Sequence, residues 1–226
     1  MRVAPAVPAA LAVLVAMAAP ARAVEHDGQA WTNFMAYGTV TSDLALWFDV
    51  SLRWTDDFSR LGQALFRPGI GWKPNRNFMA IAGYVFSEVN PVDGPTLNEH
   101  RLFQQLDVTL HRWDTGVIST RARFEQRFFE GATQVQIRHR QKLYVRQEIP
   151  GTGGIEALGS YETFLILREA DVGLGTGVEQ GRAFVGAGIP LTKTVTLETG
   201  YQNQHVFRRD ETFMSHGLWV MFAVRY

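Results

Sequence analysis

Apolar side chains recur at every second position over most of the chain, and a helical period of 3.6 is almost absent. The stretch from Leu44 to Trp54 is the cleanest: Leu44, Leu46, Phe48, Val50, Leu52 and Trp54 alternate with Ala45, Trp47, Asp49, Ser51 and Arg53. Successive side chains of a strand point to opposite faces, so this spacing predicts a strand with one wholly apolar face. Comparable segments run over 31–40, 61–72, 78–86, 99–113, 117–129, 135–149, 160–167, 181–190, 194–205 and 213–226. The chain therefore reads as all-β. Most segments meet the roughly 9–11 residues that a tilted strand needs to cross a bilayer.

The connectors differ in length. Residues 114–116 and 191–193 form tight turns, while 87–98 and 168–180 are long, polar and glycine-bearing. Short turns at one end and longer loops at the other are the habit of outer-membrane barrels. The expectation is an antiparallel up-and-down transmembrane β-barrel. Eleven segments are counted, whereas bacterial single-chain barrels use an even number. About ten wall strands are thus expected, with twelve as the alternative and residues 31–40 as the segment set outside the wall. Pro68, which cannot donate to a ladder, predicts a bulge or a tight bend beside Gly69 and Gly71.

The polar faces of these strands carry the chemistry. In RARFEQRFF, Arg121, Arg123, Glu125 and Arg127 share one face and Phe124 and Phe128 the other. A soluble β-sandwich or lipocalin-like barrel would turn the charges to water, and a membrane barrel would turn them into its lumen. Arg on the lipid face at midplane costs about 2–4 kcal/mol, which favours the lumen. The predicted lumen lining comprises Arg53, Arg67, Glu99, Arg101, Arg121, Arg123, Glu125, Arg127, Arg138, Arg140, Glu162, Arg182 and Glu198. Such a row either pairs across strands into a polar plug or, through its excess of Arg, attracts a small anionic solute as basic rings do in pores.

The first residues differ in kind. Arg2, an Ala/Val/Leu run and the ending Ala21-Arg22-Ala23 form a secretory signal pattern with cleavage after Ala23, leaving 24–226 as a single barrel domain. The expected destination is the outer membrane, with its lipid and the barrel assembly machinery as partners. The last strand fits this, since Phe222, Val224 and Tyr226 end an apolar row with an aromatic carboxy-terminal residue, resembling the terminal assembly signal of such barrels. The chain has 22 basic and 22 acidic side chains, so nothing in its charge calls for nucleic acid. It has no cysteine, so it is held together without disulfides and has no thiolate metal site. No His/carboxylate spacing predicts a metal site, and no cofactor is expected.

A lipid-modifying enzyme, of a deacylase or phospholipase kind, is the alternative function. It needs a serine, a histidine and an orienting group converging at the lipid interface. Ser215 and His216 are adjacent and point to opposite faces, which leaves His205, beside Tyr201 and Asn203, as the best candidate base. The glycine run Gly173 to Gly177 lacks the strand-helix context and the Lys-Ser/Thr of a phosphate loop and reads as a loop on the outer side.

Several stretches together resemble an uncharacterised group of outer-membrane barrels, the domain of unknown function 2490. They are LRWTDDFSR at 52–60, FRPGIGW at 66–72, AGYVFSE at 82–88, NEHRLFQQL at 98–106, RARFEQRFFEG at 121–131, Glu162 with Phe164, GRAFVGAGI at 181–189 and ETGYQNQ at 198–204. The chain departs from that group at Leu165-Ile166-Leu167 and at Gly181, where amides are common. The resemblance implies a barrel in the outer membrane and carries no established activity.

Overall fold

In a computed structural model, residues 24–171, 175–207 and 212–226 are described; the predicted leader and part of the Gly173 to Gly177 run lie outside them. Eleven strands close into one barrel: β1 (Val24–Thr39), β2 (Leu44–Thr55), β3 (Arg60–Asn75), β4 (Phe78–Val89), β5 (Leu97–Trp113), β6 (Gly116–Phe129), β7 (Gln136–Glu148), β8 (Glu156–Arg168), β9 (Gly177–Pro190), β10 (Val195–Phe207) and β11 (Thr212–Arg225). Each strand is hydrogen-bonded to its neighbours in sequence, and β1 closes the ring against β11.

The strand count corrects the expectation of ten or twelve. Residues 31–40 lie largely within β1, which is a full wall strand paired antiparallel with β2 and parallel with β11 from Val24↔Thr212 to Tyr37↔Arg225. An odd number of hairpin-linked strands leaves the first and last pointing the same way, so closure requires one parallel pair. The outward row of β1 is Ala30, Thr32, Phe34 and Ala36. Its small side chains made the apolar alternation faint, whereas its inward Gln29, Trp31 and Asn33 are buried.

The same inside-out arrangement holds around the wall. On β2, Ala45, Trp47, Asp49 and Ser51 are buried inside, while Leu44, Leu46 and Trp54 are exposed outside. Ile70, Leu102, Val185 and Leu218, on four other strands, stand 49–54 % exposed on the outer surface. Apolar side chains dominate the outside, with Gln104, Gln126 and Gln141 on β5–β7 as polar exceptions, and most charged side chains of the strands turn inward.

Pro68 has a milder effect than a bulge. The β3–β4 ladder lacks partners at Arg67 and Pro68, yet Phe66↔Phe86 and Gly69↔Gly83 lie in one register. The missing N–H interrupts the ladder without shifting it. Facing this gap, Gly83 leaves room for a ring: a Cβ there would lie 2.4 Å from Phe103 Cζ and 2.6 Å from the Pro68 carbonyl. Phe103 thereby joins Trp47, Leu65, Ile81 and Val85 in an apolar cluster inside the barrel, against β2–β5.

The two ends differ. One carries the connectors 40–43, 76–77, 114–115, 149–155 and 191–194 together with Tyr226. The opposite end carries 56–59, 90–96, 130–135, 169–171 and 175–176 together with the start of β1. Among the latter, Asp56, Asp57 and Phe58 all have positive φ, and Asp57 is tied to β1 by accepting from the Gly28 amide and donating its own amide to Asp27.

Candidate functional site

The interior opposite the apolar cluster is built by β5–β9, whose alternation delivers a carboxylate or a guanidinium at nearly every inward position. At the loop end these groups interlock. Glu99 accepts from both Arg101 (2.6 and 2.7 Å) and Arg127 (2.5 and 3.0 Å), each as a two-pronged fork. Arg127 also reaches Gln136 at 2.6 Å and Glu179 at 3.4 Å, and Glu179 accepts from Arg138 at 2.9 Å. Arg138 holds Glu125 at 2.6 and 2.8 Å, Glu125 accepts from Arg140 at 2.9 Å, and Arg140 continues to Glu162. Glu125 and Gln136 have no exposed surface, and the other members of the chain are likewise buried.

This half of the lumen is a plug. Its planar forks match carboxylate geometry, which is why arginine rather than lysine supplies the cations. The three carboxylates Glu99, Glu125 and Glu179 meet the three guanidiniums Arg101, Arg127 and Arg138, so the charge closes locally. Arg123 joins the plug to the apolar cluster: its guanidinium carbon lies 4.4 Å from the Phe103 ring centre, Nε donates to Gln105 at 2.7 Å, and Nη1 sits 3.8 Å from Glu125.

Towards the short-turn end the lumen opens into a cavity of about 520 Å³. It reaches the rim at Arg76, Asn77 and Arg112 and ends inward at the level of Arg53, Arg123 and Arg140. Asp107, Arg121, Lys142, Glu162 and Arg182 are direct cross-strand partners on successive strands and form a belt around one side. Glu162 serves three guanidiniums, Arg121 at 2.7 Å, Arg140 at 2.8 Å and Arg182 at 3.7 Å. Glu198 pairs with Arg146 and with Arg225 at 3.0 Å, and Arg67 with Asp49. Arg53 and Arg182 both stack on the Trp31 ring, at 3.8 and 4.5 Å from its centre.

The thirteen residues expected in the lumen divide between the two regions. Glu99, Arg101, Glu125, Arg127 and Arg138 sit in the plug, and Arg53, Arg67, Arg121, Arg123, Arg140, Glu162, Arg182 and Glu198 line the cavity. Sequence reading missed Glu179, Gln136 and Trp31. Glu179 was assigned to a loop, and it defeats the period-2 rule because the β8–β9 register shifts between Phe164 and Leu165. That irregularity lets Glu179 and Arg182, three positions apart, both face inward. Gln136 opens β7, directly opposite Arg127, and that pairing was its available signal.

On the outer surface, Tyr201 Oη lies 2.6 Å from His216 Nδ1, and His26 Nδ1 lies 3.1 Å from His216 Nε2. Ser215 is buried on the lumen side, with 3 % exposure, so it does not meet these histidines. His205 lies near Phe207, with ring centres 6.3 Å apart and the planes tilted by 51°. Between the loops, Asp171 accepts from the Thr133 hydroxyl at 2.7 Å and from the Thr133 and Gln134 amides. Those bonds, the hydroxyl's first, hold the Asp171 carboxyl below the usual aspartate range.

The family model described as "Protein of unknown function (DUF2490)" matches residues 28–215. An uncharacterized protein of Methylorubrum extorquens is 34% identical over 198 residues, covering 86% of this chain and 86% of its own length. No solved structure matches. The match spans every strand from β2 to β10, including the rows that build both the plug and the cavity, and the chain belongs to the DUF2490 family of proteins of unknown function.

Proposed function

We propose that the protein is an outer-membrane β-barrel that is sealed across its loop-side half, a structural barrel with an internal vestibule rather than an open pore. The observation that carries this reading is the inside-out distribution of side chains on a closed barrel. Large apolar residues are exposed around the outside while Arg/Glu pairs fill the inside. In water that outer surface would be a severe aggregation hazard, and in a bilayer it is the surface required. The short-turn end with Tyr226 then faces the periplasm and the longer loops face outward. In this reading the leader directs export, and Phe222, Val224 and Tyr226 present the strand that the assembly machinery receives.

The plug favours the structural barrel over the pore. Conduction needs a continuous hydrated path, and a buried chain of ion pairs from Arg101 to Arg140 stands in its way. The lipid-modifying alternative draws no support from the outer histidines, because the neighbouring serine is turned inward. Membrane fractionation, heat-modifiable migration in detergent gels and planar-bilayer recording test the proposal together. The expected result is a heat-modifiable outer-membrane protein without discrete conductance steps. Regular steps would overturn the sealed lumen, and accumulation in the soluble periplasm would overturn the membrane reading.

A further inference from the structure

The plug and the vestibule differ in charge closure. In the plug each guanidinium has its carboxylate, whereas the vestibule is lined by twelve Lys/Arg side chains and five Asp/Glu. The protein as a whole carries 22 of each sign, so this excess of seven cations is a local segregation and no reflection of a basic chain. Glu162 is shared among three arginines. Among the described residues Arg53 has no carboxylate partner: it donates to the Gln63 amide oxygen at 2.7 Å, and its Nε is buried without an acceptor. The Lys142 ammonium is likewise without a carboxylate or hydrogen-bond acceptor, with the Tyr144 ring centre 5.3 Å away.

Two like-charged guanidiniums packed on one indole repel each other, and low-dielectric walls focus their field into the cavity. Stacking on Trp31 holds both planes in place, so the cost of ordering them is met before any ligand arrives. The lining also has polar uncharged groups, among them Asn33, Gln105 and Gln202, and an apolar part. Met35, Trp47, Met79, Phe184, Trp219 and Met221 face the same space, and the Trp219 ring lies 6.0 Å from Trp31 and 5.9 Å from Phe184. A cavity of about 520 Å³ falls within the roughly 300–1,000 Å³ of small-molecule sites.

We infer that the vestibule is a binding site for a small organic anion, a phosphate or carboxylate attached to an apolar body, which enters from the short-turn rim. Its oxyanion sits at Arg53 and Arg182, with Lys142 and Arg121 completing the positive field, and its body lies against Trp47, Met35 and Trp219. Guanidinium forks suit such an oxyanion because they offer paired donors in one plane. The site deepens the sealed-barrel proposal, since a closed floor makes the vestibule a receptacle instead of a conduit; the direction of entry, from the periplasm, rests on that proposal.

Calorimetry on the full chain, folded in a zwitterionic detergent, tests the inference with three probes: phenyl phosphate, inorganic phosphate and phenol. Phenyl phosphate is expected to bind one per barrel and at least tenfold more tightly than inorganic phosphate, with no saturable binding of phenol. Arg53→Met should weaken phenyl phosphate at least tenfold while the folded gel mobility is retained. Should that variant not fold, Lys142→Met serves, with a weakening of at least threefold. Equal affinity for the two phosphates would remove the apolar half of the site. Unchanged binding in a folded variant, or none in the folded wild type, would overturn the inference. Absence of binding in wild-type protein that still migrates as a folded barrel counts against the site alone, whereas recovery of the protein from the soluble periplasm counts against the membrane reading alone.

Discussion

Glu125 sits where three guanidiniums from β6 and β7 converge, and its neutralisation tests whether the plug is a dry ionic core. The carboxylate has no exposed surface and accepts from Arg138 at 2.6 and 2.8 Å and from Arg140 at 2.9 Å, with Arg123 at 3.8 Å. Glu125→Gln keeps the shape, turns an amide nitrogen towards guanidinium donors, and leaves three cations without their shared anion. Removing one partner from a buried pair costs about 3–5 kcal/mol. Glu156 provides the contrast, because its side chain is 30% exposed and it pairs only with Arg146 at the rim. Glu156→Gln should therefore cost about 0–1 kcal/mol. Urea unfolding from lipid vesicles measures both. Adding Arg140→Gln to Glu125→Gln removes part of the stranded charge, so the two changes should couple by about 0.5–3 kcal/mol rather than add. If Glu125→Gln and Glu156→Gln cost the same, or if the double change is additive, the network is hydrated and the sealed lumen falls.

Leu106 lies midway along β5 on the outer surface, and Leu106→Arg should lower folding free energy by about 2–4 kcal/mol in vesicles; a neutral result in the same urea series would contradict burial of that face in lipid. Asp171 has a lowered folded pKa, so its tie to Thr133 is complete above the ordinary aspartate range and is lost as the pH falls through the lower folded value. Exchange protection of the Thr133 and Gln134 amides should therefore persist into mild acid and then fall, and Asp171→Asn should flatten that profile; protection independent of both pH and the variant refutes the tie. Tyr226 is largely exposed, and its amide donates to Tyr37 O at 3.3 Å through the backbone alone. Tyr226→Asp should thus reduce the fraction assembled in cells while leaving the unfolding midpoint of refolded protein within experimental error, and an equal loss in both would assign it a structural role instead.

How much of this was legible in the sequence depends on where the period-2 rule holds. It holds along β2, β5 and β6, where large apolar residues alternate with charges and the two faces have opposite solvents. From such rows the all-β closed barrel could be named, and Arg53, Glu99, Arg101 and the charges of β6 fall on the face opposite the large apolar residues. It weakens on β1, whose outer face is small and whose best aromatic, Trp31, points inward to carry Arg53 and Arg182. A rule for even strand numbers then outweighed a faint pattern. It breaks at Glu179, where a single register irregularity moves a side chain to the other face and completes the plug. The division of the lumen into a neutral plug and a basic vestibule is set by which strand lies opposite which, and one-dimensional spacing does not contain it.

The parallel seam links these features. Because β1 closes against β11 in parallel, it brings Trp31 level with Trp219 and across from Arg53 on β2. An even barrel made by closing β2 directly on β11 would lack Trp31, and with it the surface on which two guanidiniums are held close together. Those cations would then lose their stacking partner while keeping their mutual repulsion. The eleventh strand is therefore more than a closure device: the ring it adds stabilises the clustered charge that gives the vestibule its character. The cost of a weaker parallel pairing at one seam is offset where Trp31, 2% exposed, packs beside Trp219 and under Arg53 and Arg182.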